Sequence, residues 1–262
     1  ARKRQLVLSK LLSLRQRIFH LAHQICLLEH AALLDDIIAK ARFTNPESNA
    51  VCRVGLANYF AGALLMPYEN FLQKAQQERY DIERLQILFN VSFEQICHRL
   101  STLQRPSAKG IPFYFLRVDA AGNISKRQSA SSFHFARVGG ACPLWNVHEA
   151  FAQPGKILRQ VAQMPDGKTY FCIARTVSRT EGGFLMPQKN FAVGLGCEIA
   201  HAPQLIYSAG IDLNDKEAAV PIGVSCRVCE RTDCPQRAFP PIGKKIHIDE
   251  NEREFLPYRF ES

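Results

Sequence analysis

The sequence predicts an α+β protein in two parts: a helical front part over residues 1–105 and a mostly antiparallel sheet with a few helices over residues 106–262. Three observations predict it. Apolar residues recur at three- and four-residue steps from Leu6 to about Leu103, the period of amphipathic helices. The stretch "QRPSAKGIP" (Gln104–Pro112) then clusters Pro, Ser and Gly between unlike patterns and reads as a linker. Beyond it, short apolar runs bounded by turn residues have the texture of paired strands.

The elements follow in order. "QLVLSKLLSLRQRIFHLAHQICLLEHAALLDDII" is helical, and Asn45, Pro46 or Ser48 can start the helix "VCRVGLANYFAGALLM", which stops at Pro67. "YENFLQKAQQERY" is a further helix. "DIERLQILFNVSFEQICHRLSTL" divides near Asn90, with Ser92 as N-cap of its second piece. "PFYFLRVDAAGNISKR" reads as two strands around a turn, and "SSFHFAR" as another strand. "WNVHEAFA" is a short helix closed by Pro154-Gly155. "KILRQVAQM", "TYFCIARTV" and "NFAVGLGCEI" are further strands, "IAHAPQLIYSAG" a helix ending at Gly210, and the tail irregular with one short strand.

The stretch "HLAHQICLLEH" (His20–His30) invites comparison with a zinc-peptidase helix, in which two His stand one turn apart with a Glu beside the first. Gln24 follows His23, and Leu27 holds the position of the second ligand. A glutamine takes no proton from a bound water and a leucine holds no metal. The expectation is an amphipathic helix with semi-buried histidines and no catalytic residues.

The net charge of +9 and pI near 9.2 favour an anionic partner. No run of eighteen apolar residues is present, so no membrane span is expected. The opening "ARKRQL" lacks a starting Met and runs straight into helical periodicity, as expected of a fragment whose front end is missing. Cys26, Cys52, Cys97, Cys142 and Cys172 stand alone among apolar neighbours and read as reduced core thiols of a cytoplasmic protein. "CRVCERTDCP" is different. It spaces Cys226, Cys229 and Cys234 as C-x2-C-x4-C with Pro235 after the last, a run suited to gripping one metal centre with a fourth ligand from elsewhere. No second Cys pair exists for a zinc knuckle, so a [4Fe–4S] cluster is the first expectation and zinc the alternative.

Two sets of segments carry a resemblance. "RQRIFHLAHQICLLEH", "ANYFAGALLMP" and "FNVSFEQICHRLSTL" resemble the IrrE/ImmA metallopeptidase-like domain in degenerate form, with Gly55 and Leu56 where active members place a further carboxylate ligand. "FHFARVGGACPLWNVHEAF", "GLGCEIAHAPQLIY" and "SCRVCERTDCPQRAFPP" resemble the C-terminal domain of the short-chain fatty acyl-CoA transcriptional regulators. The resemblance implies a non-enzymatic sensor that binds a short-chain acyl-CoA such as propionyl-CoA or acetyl-CoA and forms a homo-oligomer. It also implies control of promoter DNA through an N-terminal helix-turn-helix domain that this chain lacks. It supports a [4Fe–4S] cluster, and Cys197 in "GLGCEIAH" as the fourth ligand, with His201 as the alternative.

Coenzyme A carries a pyrophosphate and a 3′-phosphate, which call for cations and backbone donors beside an apolar channel. Arg117, Arg137, Lys156, Arg175 and Lys189 lie on or beside the strands of the second part, among Phe133, Phe135, Trp145 and Phe191. Together with Trp145 they are the candidate acyl-CoA contacts. Gly139-Gly140 would let backbone approach a ligand. Arg99 and Gln95 would be the base-reaching residues if "FNVSFEQICHRL" read DNA, although a structural helix pair is the expectation. The competing reading is an iron–sulfur redox sensor of transcription in which acyl-CoA is not the signal.

Overall fold

The computed structural model describes residues 5–262 apart from 136–140, 180–184, 187, 216, 252–255, 257 and 261–262. Six helices come first: α1 (Leu14–Glu29), α2 (Ala31–Ala41), α3 (Pro46–Leu65), α4 (Tyr68–Gln77), α5 (Ile82–Phe89) and α6 (Phe93–Leu100). Their starts follow capping chemistry. Ser13 and Gln16 form a capping box on α1, Ser92 and Gln95 form another on α6, and Asn45 caps α3 with Pro46 behind it. Asn90, in the left-handed conformation at φ 51°, ends α5 and lets the chain turn into α6.

The hairpin of β1 (Gln104–Arg105) and β2 (Ala108–Lys109) follows. The chain then forms β3 (Tyr114–Val118), β4 (Ile124–Ser129), α7 (Asn146–Glu149), β5 (Leu158–Gln163), β6 (Thr169–Arg179), β7 (Lys189–Glu198) and β8 (Val220–Pro221). These strands make one sheet in the order β4-β3-β7-β6-β5-β8, antiparallel except where β8 runs parallel to β5. The pair β9 (Ile246–His247) and β10 (Arg259–Phe260) ties the tail together.

Alternation along the strands divides the interior in two. Phe115, Phe171, Ile173, Val193, Leu195 and Cys197 face α4–α6 and share one core with Phe71, Leu85, Ile96 and Leu100. Tyr114, Leu116, Tyr170 and Cys172 face the other way, against Phe133, Trp145, Val147 and Ile222. In contrast, α1–α3 pack around a small cluster of Cys26, Leu34 and Ala57.

Three expectations change. The "QRPSAKGIP" stretch is a hairpin, not a slack linker. Tyr68 Oη accepts from Arg105 N at 2.9 Å and donates to the Ala108 carbonyl at 2.8 Å, which pins it to α4. "SSFHFAR" forms no strand in its described residues 131–135. Ser129 and Ser131 bond each other through their hydroxyls, and the chain lifts off the sheet so that Phe133 stacks on Tyr114 with centroids 4.1 Å apart. "IAHAPQLIYSAG" is two short 3-10 turns, Ile199–Gln204 and Ile206–Ser208, because Leu205 just after Pro203 is extended.

Candidate functional site

A cleft of about 870 Å3 opens between the helices and the sheet, a size suited to a small-molecule ligand. α1 contributes Arg15, Phe19 and His20 to its lining, α3 contributes Asn58 and Tyr59, and α6 contributes Glu94, His98 and Arg99. Lys126 comes from β4, Arg175 to Ser178 from β6, and Pro154-Gly155 from the loop before β5. Among the described residues four cations therefore meet one carboxylate in the lining, and such a wall attracts anions.

The cations are not equally engaged. Lys126 Nζ bonds Glu94 at 2.7 Å, and Arg175 Nη1 bonds Glu83 at 3.0 Å while its guanidinium lies 5.1 Å from the centroid of the Phe93 ring. Arg175 Nε is buried without a hydrogen-bond partner. Among the described residues Arg15 donates only to the Val91 carbonyl. Arg99 is buried at 4% exposure, donates to the Met66 carbonyl at 3.1 Å and to Thr102 Oγ1, and makes no ion pair among the described residues. Its guanidinium lies between the Tyr59 and Tyr68 rings, 5.7 Å from each centroid. A buried guanidinium without a carboxylate is costly to maintain, and its cleft-side position makes an anionic ligand the natural complement. His98 is held below its ordinary value, first by burial and then by Lys126, so it contributes a neutral imidazole near pH 7.

Of the acyl-CoA candidates among the described residues, Arg175 alone is part of the cleft wall. Arg117 lies on the same sheet face, but Glu94 holds it at 3.0 Å and Phe191 lies 4.3 Å beneath its guanidinium. Trp145 is core on the opposite face, with Nε1 buried and unpartnered, so the large aromatic is a packing residue of the second interior. Lys156 is exposed and bonds Gln153, and Lys189 stands at the exposed start of β7. Arg137 and Gly139-Gly140 lie outside the described residues. The sequence reading weighed Arg99 only for base contact. Its sequence position gave little signal, since Arg99 falls about 110° around α6 from the centre of the stripe of Phe93, Ile96, Cys97 and Leu100, on a flank where a charge ordinarily meets solvent.

The cysteine run lies across the sheet from the cleft. Cys229 Sγ packs so closely on Gly223 that a Cβ there would lie 2.8 Å from the sulfur. Cys142 also reaches this place: burial pushes its thiol up, the backbone N–H groups of Gly223 and Leu144 offset that in part, and Cys226 and Cys229 are near enough to add to it. Arg237, itself buried, holds the loop by donating to the carbonyls of Cys226 at 3.1 Å, Cys229 at 3.1 Å, Phe239 at 3.2 Å and Arg231. Among the described residues no three His, Cys, Asp or Glu stand close enough to hold a metal as the loop lies. Even so, several thiols, backbone donors and a cradle fit for sulfur are gathered there, and this donor set fits a thiolate-bound metal.

Cys197 lies elsewhere in the interior. Its side chain belongs to the helix-side interior, whereas Cys142 belongs to the opposite one. Strand alternation puts residue 197 on the same face as residues 193 and 195, turned away from the loop. His201 is half-buried in the first 3-10 turn.

No single helix among the described residues is long and apolar enough to cross a membrane. Residues 102–258 match the family model "Short-chain fatty acyl coenzyme A regulator, C-terminal", and residues 1–101 match "IrrE N-terminal-like domain". The chain is 56% identical over 243 residues to the HTH-type transcriptional regulator PrpR of Mycobacterium tuberculosis, covering 93% of this chain and 50% of that protein. It is 53% identical over 255 residues to the same organism's HTH-type transcriptional regulator RamB, covering 97% of this chain and 54% of that protein. It is 54% identical over 240 residues to the propionyl-CoA carboxylase regulator of Cereibacter sphaeroides, covering 92% of this chain and 52% of that protein. The chain thus spans about half the length of the curated relatives it matches. A solved structure described as a Mycobacterium tuberculosis transcriptional regulator superposes with a TM-score of 0.90 at 56% identity, over 94% of this chain and 75% of that one.

Proposed function

This chain belongs to the short-chain fatty acyl coenzyme A regulator family, and from that premise we propose that it is the sensing part of a cytoplasmic transcriptional regulator of propionate and short-chain acyl-CoA metabolism. It binds a short-chain acyl-CoA such as propionyl-CoA or acetyl-CoA in the cleft between α1, α3, α6 and β6. Occupancy alters promoter binding by a helix-turn-helix domain that precedes these residues in the whole protein. The observation that carries this reading is Arg99, a buried cation without an ion-pair partner among the described residues, in a wall where cations outnumber carboxylates. Arg15, Arg99 and Arg175 suit the CoA phosphates, and Phe19, Tyr59 and Met66 supply apolar surface for the pantetheine arm. The site has no catalytic residues in this reading. It acts by favouring one arrangement of the regulator through differential affinity.

A thermal-shift panel of acetyl-, propionyl- and butyryl-CoA against free CoA and the free acids tests it. Ligand at a hundred times its Kd adds about 2.7 kcal/mol to the folded state, a melting shift of a few degrees for about 260 residues. Stabilisation by the esters that Arg99→Met abolishes supports the reading. No shift with any CoA species overturns it.

A second reading has its own support in Cys142 and Cys229, which both meet Gly223, with Cys226 near enough to Cys142 to act on it electrostatically. Here these thiols and Cys234 hold a [4Fe–4S] cluster, or zinc, and the metal centre is the signal. Promoter binding that follows cluster loss and ignores acyl-CoA would favour it.

A further inference from the structure

Arg237 is a buried cation that the hydrogen bonds of its loop satisfy but do not neutralise. It is 7% exposed, and its side chain reaches into the turn that spaces Cys226, Cys229 and Cys234. Nη1 donates to the carbonyls of Cys226 at 3.1 Å and Phe239 at 3.2 Å, and Nη2 to those of Cys229 at 3.1 Å and Arg231. A guanidinium has five N–H donors. Carbonyls take up the donors of Nη1 and Nη2, which leaves Nε–H, and Nε is buried without a hydrogen-bond partner. The ring of Phe260 in β10 lies 4.7 Å from the guanidinium and shields it on the side of the tail. No carboxylate balances the charge among the described residues. Glu230 and Asp233 belong to the same loop, but both are exposed and neither bonds Arg237. Carbonyls supply dipoles rather than a compensating charge, and a buried guanidinium so placed is costly unless an anion stands beside it. Covalent geometry keeps a cysteine sulfur within about 5 Å of its own carbonyl oxygen, so the sulfurs of Cys226 and Cys229 stand within about 8 Å of the nitrogens that bond those carbonyls.

We infer that Arg237 is the counter-cation and positioning residue of a thiolate-bound metal centre in this loop, an inference that rests on the metal-centre reading given above. Four thiolates around zinc, or around an oxidised [4Fe–4S] core, leave a net double negative charge. The buried guanidinium offsets part of it. The same side chain fixes the C-x2-C turn through the carbonyls of Cys226 and Cys229, so ligand spacing and charge balance are set together. Nε–H is the donor left for a sulfur, and hydrogen bonds to sulfur are one of the levers that tune such a centre.

Arg237→Gln and Arg237→Lys, purified anaerobically beside the unsubstituted chain, test the inference. Gln keeps N–H donors for the loop carbonyls and removes the charge, whereas Lys keeps the charge and loses the planar fork. For whichever of iron and zinc the unsubstituted chain holds, chelator competition is expected to give Arg237→Gln an affinity about tenfold to a hundredfold lower, the usual cost of losing a group behind the ligands. Arg237→Lys should stay within a few-fold of the original. Where the metal is iron, the midpoint potential should fall in Arg237→Gln, by about 59 mV for each tenfold in the one-electron equilibrium, because a nearby cation favours the more negative, reduced centre. Arg237→Lys should hold that potential. Melting of stripped and loaded protein gives a further readout: Arg237→Gln should shrink the stabilisation that metal confers, beyond any loss in the stripped chain. Unchanged affinity in Arg237→Gln overturns the inference. Equal losses in the two variants also overturn it, and reduce Arg237 to a clamp on the loop. Should Arg237→Gln not fold, Arg237→Lys decides alone, and a tenfold loss of affinity there overturns the inference. An unsubstituted chain that binds neither iron nor zinc overturns the metal-centre reading itself, and the inference with it.

Discussion

Arg175 of β6 donates through Nη1 to Glu83 of α5 at 3.0 Å, so a cation of the cleft wall is tied to a carboxylate outside it. Glu83 is largely exposed, which makes its hold on the arginine weak. In the proposed acyl-CoA site a ligand phosphate would therefore compete with a carboxylate that gives way at small cost. Glu83→Gln is expected to tighten acyl-CoA binding a few-fold. Arg175→Ala should weaken it about tenfold to a hundredfold, the worth of one hydrogen bond to a charged group. Isothermal titration of the two variants checks the opposite signs.

Three histidines are held below their ordinary value: His98 by burial and then Lys126, His148 by burial, and His23 by burial and then His20. The unfolded chain binds protons at these sites over a pH range where the folded chain does not. Stability from these groups is complete above the unfolded value of 6.5 and falls as pH drops through the window between it and the lowered folded values. Melting temperature should fall from about pH 7 to about pH 5, and His98→Gln should flatten the slope.

Metal content should separate the cysteines. Iron and zinc per chain, measured on anaerobically purified protein, are expected to fall with Cys142→Ala and Cys229→Ala and to stay unchanged with Cys197→Ala. Cys172 supplies a control. Burial pushes its thiol up to about 12, and Tyr114 Oη donates to it at 2.8 Å. Alkylating reagents should therefore leave it unmodified in the folded chain.

Gly194 of β7 is a packing requirement. A Cβ there would lie 2.7 Å from Val147 Cγ1 and 2.8 Å from Leu116 Cδ2. Gly194→Ala is expected to cost about 1–3 kcal/mol, the usual penalty of overfilling a core, measured by urea denaturation.

The helices were legible because their signals are local. Asn45 and Ser92 are caps wherever they occur before such periodicity, and Asn90 ends α5 where the pattern breaks, whereas the cap Ser13 and the break at His30 lie inside the one run read as helical from Gln5 to Ile38. The long strands were legible for the same reason. What local pattern could not supply was the face on which a residue ends up. Cys197 and Cys142 are both single cysteines among apolar neighbours, and only sheet order and α7 decide which of them meets the Cys226–Cys234 loop. The cleft was hidden for a related reason: its wall takes Arg15, Arg99 and Arg175 from three distant elements, and no spacing in the sequence joins them.

The interior shared by α4–α6 and the sheet has a practical consequence for dissecting such regulators. A cut between residues 101 and 102, where one family segment gives way to the next, runs through a continuous apolar interface from Phe71 and Ile96 to Phe115 and Leu195. Each fragment would present half of that interface to water, and neither would stay in solution. Modules exchanged between relatives to alter effector choice should instead travel from Met66 onward, with α4, α5 and α6 attached to the strands they cover.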